Sequence, residues 1–91
     1  MVIEAKVRDL KIKNRKFRND GKTIGVVRRI NGESIPFSMT RSELMTYLGR
    51  YGNNNGLTIN LNGEHIRTSI EHIERDVVLH FAHHIQLNEI E

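Results

Sequence analysis

A chain of 91 residues with 37% hydrophobic and 27% charged content is one small domain, of too ordinary a balance for a disordered polymer. It has no Cys for a disulfide framework or a Cys-based zinc site, nothing near the ~18 consecutive apolar residues of a membrane helix, and no apolar h-region within MVIEAKVRDL, so a cytoplasmic setting without membrane contact is expected. The net charge of +3 hides a division: residues 1–32 hold ten Lys/Arg against three Asp/Glu, a balance of +7, whereas residues 33–91 hold four against eight, a balance of −4. Such a split points to an anionic partner for the N-terminal part, either nucleic acid, nucleotide or an acidic protein surface. It is equally compatible with self-complementarity in a homodimer.

The first predicted element is a basic strand. Ile3, Ala5 and Val7 alternate on odd positions, then Leu10 and Ile12 on even ones, the phase change that a β-bulge at Arg8-Asp9 would produce. Lys6, Arg8, Lys11 and Lys13 then point outward. KNRKFRNDGK, residues 13–22, follows with five basic side chains and one aromatic, and Asp20-Gly21 turns the chain back into a strand over 23–30. The stretch is therefore expected at the tip of a β-meander. Lys11, Lys13, Arg15, Lys16, Arg18 and Lys22 would follow a phosphate backbone there, with Phe17 stacking on a base. The plainer alternative is that the cations solvate a hairpin tip while Phe17 packs back onto the sheet.

VVRRI-NG-ESIPF reads as a hairpin with Asn31-Gly32 as a two-residue type I′ turn. That register faces Ile30 with Glu33, Arg28 with Ile35 and Val26 with Phe37. It puts Arg28 on an apolar face with Ile24, Val26, Ile30, Ile35, Phe37 and Met39. An Arg so placed is paired with a carboxylate, snorkels to the rim, or is presented to an anionic ligand. Arg29 points the other way, toward solvent or a partner. Pro36 marks 33–39 as an edge strand.

Thr40-Arg41-Ser42-Glu43 is a capping box, opening a helix with Leu44, Tyr47, Leu48 and Tyr51 on one stripe and Gly49 or Gly52 as its stop. NNNG at 53–56 is a loop. LTINL-NG-EHIRT is a second hairpin, pairing Leu61 with Glu64, Ile59 with Ile66 and Leu57 with Thr68.

A second capping box, Thr68-Ser69-Ile70-Glu71, is expected to open a C-terminal helix with Ile70, Ile73, Val77, Phe81 and Ile85 at helical spacing. Its apolar stripe would be the homodimer seam. Two hairpin-helix units, 24–52 and 57–90, would then form a degenerate repeat within a single domain. His80 and His84, four residues apart, with Asp76 one turn earlier, have the spacing of metal ligands. HFAHH lacks the zincin pattern, however, and a core histidine is the commoner role for His84, so no metal is expected. Ser34, Ser38, Ser42 and Ser69 have turn, cap or strand roles, and no paired carboxylates, phosphate loop or dinucleotide fingerprint is present. No enzymatic activity or cofactor is expected.

TIGVVRRINGESIPFSMTRSELMTYL and LTINLNGEHIRTS, within residues 23–69, resemble small uncharacterised hairpin-helix-hairpin domains of bacterial and phage genomes. The resemblance implies a phage or mobile-element setting and carries no catalytic residues. After Ser69 the chain departs from that pattern.

The expected architecture is α+β: an antiparallel sheet of about five strands with two helices on one face, in the order β-ββ-α-ββ-α. The expected function is non-catalytic binding of nucleic acid through the basic meander. The rivals are an inhibitor or adaptor docking on an acidic protein surface, and a nucleotide or small-anion binder centred on Arg28.

Overall fold

In the computed structural model, which describes residues 2–52, 56–78 and 82–90, two helices interrupt a run of β-strands. The order is β1 (Val2–Val7), α1 (Asn14–Asn19), β2 (Lys22–Arg28), β3 (Ser34–Thr40), α2 (Arg41–Tyr51), β4 (Leu57–Leu61), β5 (Glu64–Arg75) and β6 (Ala82–Glu89). The six strands close a barrel in the order β1-β3-β2-β6-β5-β4, with β1 parallel to β4 and β2 parallel to β6. This corrects the open five-stranded antiparallel sheet. Turn chemistry reveals only strands that follow each other in sequence. The two parallel seams join distant strands and leave no local signal. Closure pairs the strands that an open sheet would leave as edges.

The first hairpin forms, but one residue out of the expected register. Val27 pairs with Ile35 and Arg28 with Ser34. The Arg29 amide donates to the Glu33 carbonyl at 2.7 Å, and the Gly32 amide to the Arg29 carbonyl at 3.0 Å. Gly32 has φ +92°. This is a three-residue loop, a type I turn followed by a left-handed glycine, and not a type I′ turn. A one-residue slip reverses the facing of a whole strand. On β2 the inward residues are Thr23, Gly25 and Val27, whereas Arg28 is exposed. The apolar-face placement of Arg28, and the ligand pocket built on it, are thereby corrected.

Gly25 lies opposite Phe37, which is fully buried. A Cβ at Gly25 would stand 2.2 Å from the Ile85 carbonyl oxygen and 2.9 Å from Phe37 Cζ. Only glycine lets the phenyl ring and β6 approach this closely.

The second hairpin has the expected register, with Asn62 at φ +53° and Gly63 at φ +93°, the signs that a type I′ turn requires. Leu57, Ile59, Leu61 and Ile66 enter the core. Beyond Thr68 no helix begins: β5 runs on to Arg75 and pairs antiparallel with β6. Two bulges explain the false helical period. Glu71 is an extra residue between the Ile70–Leu87 and His72–Gln86 pairs, and His83 is extra between Glu74–His84 and Arg75–Ala82. Ile66, Ile70 and Ile73 thus stand four and three apart while all belong to one strand, and Ile70, Ile73 and Ile85 pack at the barrel core. The proposed homodimer seam therefore does not exist as a surface stripe. Phe81 and His80 lie outside the described residues, as do Asn53, Asn54 and Asn55 of the loop read at 53–56.

α2 starts after Thr40 as expected and ends at Gly52, but the capping box does not form: Thr40 makes no side-chain cap hydrogen bond, its hydroxyl accepting from Lys22 Nζ instead. Its Leu44, Tyr47 and Leu48 join the core cluster. It lies at the end of the barrel where β3 stops and β4 and β6 begin: the Ala82 amide donates to Met45 Sδ at 3.4 Å, and the Tyr47 hydroxyl donates to the Gly56 carbonyl.

Candidate nucleic-acid interface

KNRKFRNDGK is not a hairpin tip. β1 stops at Val7, the Asp9 carboxylate accepts from the Lys11 amide at 2.9 Å, and the Ile12 amide closes a turn on the Asp9 carbonyl at 3.1 Å. Residues 14–19 then form α1, which ends at Asp20 with Gly21 at φ +76°. Lys16 and Arg18 fall in the last turn, where cations oppose the partial negative charge of the helix end. The meander of residues 1–32 is thus replaced by strand, turn and short helix. Lys11, Lys13, Arg15, Lys16 and Arg18 are all exposed, and Phe17 is half-buried. Lys22, also half-buried, donates from Nζ to Thr40 Oγ1 at 3.4 Å.

α1 packs on β2, on whose outer side Ile24 is only 2% exposed. From Ile24 the outward positions run across the neighbouring strands in rows. One row is Lys6, Ser38, Ile24, His84 and Glu74; the next is Pro36, Val26, Gln86 and His72; a third is Ser34, Arg28, Asn88 and Ser69. Arg8 borders this face, its amide on the Pro36 carbonyl at 3.0 Å and its Nη1 on Asn14 Oδ1 of α1 at 2.5 Å. Arg8 Nε, His84 Nδ1 and Asn88 Oδ1 are buried with no hydrogen-bond partner. Together they leave polar capacity on a face bordered by cations.

Glu74 is the one acid in these rows. It stands 3.8 Å from His72 Nε2 and 3.5 Å from His83 Nε2. Burial pushes the His84 imidazole below its usual range; Glu74 opposes this, whereas His83, Arg8 and His72 add to it. His84 is on a strand and not on the helix from which the metal spacing was read, and His80 lies outside the described residues.

The remaining candidates sit at the other end of β2. Arg28 is exposed on the outer side, beside Ser34 and Asn88. Arg29 is held between two carboxylates, Nη2 to Glu64 Oε2 at 2.7 Å and Nε to Glu89 Oε1 at 2.8 Å. The bonds to Glu64 and then Glu89 push the guanidinium further above its ordinary range, and hold both carboxyls below theirs. The Ile30 amide adds a 3.1 Å bond to Glu89. The nine sequence candidates therefore divide into a cationic group on and around α1 and a distant pair, of which Arg29 is occupied within the fold. His72 and Gln86 are additions that only strand pairing reveals, and it joins to them Arg8, read from the sequence as outward-facing, and His84, read there as a core histidine. The alternation of Ile85 and Leu87 was the available signal for β6, masked by the bulge at His83.

Comparison with curated proteins finds no match. A model of the Ribosomal L25p family matches residues 3–87, nearly the whole of the chain. This overturns the resemblance to hairpin-helix-hairpin domains of phage and bacterial genomes, and with it the mobile-element setting. That resemblance rested on Asn-Gly turns and helix caps, which recur in unrelated folds. The chain belongs to the ribosomal L25p family.

Proposed function

We propose that the protein is a structural, non-enzymatic component of the cytoplasmic ribosome, where it binds ribosomal RNA through the barrel face on which α1 lies. One observation carries the assignment of the surface. Residues 11–18 hold five exposed cations and no acid, on a chain belonging to a ribosomal family. Lys11, Lys13, Arg15, Lys16 and Arg18, with Arg8 beside them, supply phosphate contacts, whose strength comes largely from counterion release. The rows containing His84, Gln86 and His72 offer hydrogen-bonding groups for sugars and base edges. Phe17, half-buried on α1, anchors the helix in this reading, and Arg29 serves the fold.

The test is binding of the host's labelled ribosomal RNA over a salt series. About five phosphate contacts predict a slope of log affinity against log salt near −4. Lys16→Ala with Arg18→Ala should flatten it by about two. A slope near zero, or one unmoved by the double substitution, would sink the assignment of this surface.

A further inference from the structure

Two bulges bring three imidazoles around one carboxylate on the proposed RNA face. His72 and Glu74, two apart on β5, share a side of the strand, and the extra residue His83 lets two successive residues of β6 reach the same carboxylate. Glu74 is near His72 Nε2 and His83 Nε2, and pairs in register with His84. Other elements bring few charges to the cluster. β2 presents Ile24 and Val26 beside His84 and Gln86, and the turn after β1 brings Arg8. Arg75 follows Glu74 on its own strand with Asp76 just past the strand end, Glu71 precedes it, and the cations of α1 stand beyond Ile24.

With neutral imidazoles the cluster is a spot of charge −1 on a face that also carries Arg8 and the cations of α1. Imidazoles ordinarily gain a proton between about pH 8 and pH 5, and the Glu74 carboxylate stands 3.8 Å from His72 Nε2 and 3.5 Å from His83 Nε2. Two protons turn the spot from −1 to +1. Phosphate nearby favours the same protonation, so binding takes up protons. We infer that this cluster makes RNA binding proton-linked, so that the protein holds ribosomal RNA more tightly as pH falls through the imidazole range. The inference rests on the RNA-binding reading above. His84, half-buried and held below its usual range by that burial, acts as a hydrogen-bonding group.

The experiment is anisotropy with labelled ribosomal RNA at about pH 7.5 and about pH 6, at fixed ionic strength. Binding should tighten by roughly tenfold, and the salt slope should steepen by up to about two. The double substitution His72→Gln, His83→Gln should remove most of this pH dependence. His65→Gln, on β5 outside the cluster, should retain it. Far-ultraviolet circular dichroism at both pH values identifies any variant that has unfolded, and the single His72→Gln then serves, expected to lose about half the effect. Binding that is equally tight at both pH values, or a dependence surviving in the double variant, overturns proton linkage while leaving the RNA reading intact. No RNA binding at either pH overturns both.

Discussion

Arg29 Nε donates to Glu89 Oε1 at 2.8 Å while its Nη2 reaches Glu64 Oε2 at 2.7 Å. One guanidinium thus ties the tip of the first hairpin to the end of β6 and the tip of the second hairpin. The geometry is bidentate on both sides, which favours Arg over Lys.

Arg29→Met should therefore lower the midpoint of thermal unfolding by a few degrees at pH 7. Both carboxyls are held below their ordinary range, so their contribution is fully present above the unfolded value near pH 4.3 and is lost as pH falls through the lower folded values. The gap between wild type and variant should shrink from pH 5 toward pH 3. Thermal melts across that range check it; a gap independent of pH would mean that Arg29 acts through packing.

Gly25→Ala tests the closeness of β2, β3 and β6. The added Cβ would meet a backbone carbonyl, which cannot rotate away as a side chain can. A loss of about 3 kcal/mol or more is expected in urea unfolding, at the upper end of overpacking costs. Less than about 1 kcal/mol would show that the strands separate easily.

The register of the first hairpin is checked by neighbours on β2. Val27→Ala should cost about 2 kcal/mol, because its side chain is fully buried. Arg28→Ala should stay within about 0.5 kcal/mol. The type I′ register would reverse the two results.

Arg8→Ala probes the link between α1 and the sheet. Its bond to Asn14 and the orphaned Nε predict weaker RNA binding together with faster amide exchange in α1. Loss of affinity with unchanged exchange would mark Arg8 as a direct contact only.

The second hairpin was legible because its turn and its alternation agree: Asn62 and Gly63 tolerate the left-handed backbone, and Leu57, Ile59 and Leu61 face one way. α2 was legible for a similar reason, with a start after Thr40 and a stripe of Leu44, Tyr47 and Leu48. The first hairpin misled because Asn31-Gly32 fits two loops, and a single residue of register decides whether Val27 or Arg28 is inside.

The candidate surface was half visible. Charge density alone marked residues 11–18, whatever local structure they adopt. It could not bring Arg8, His72, Glu74 and His84 together, because they meet only when β6 pairs with β2 on one side and β5 on the other.

Composition and local pattern thus determined a small cationic domain, two hairpins, one helix and an exposed basic segment, since each depends on residues a few positions apart. The tertiary structure alone decided that the sheet closes, that β5 runs straight through its apparent helix signal, and that NRKFRN is itself a helix. The physical reason is cooperative. The parallel seams β1–β4 and β2–β6 bury a core that no local segment can bury, and that gain overrides the helical spacing of Ile66, Ile70 and Ile73.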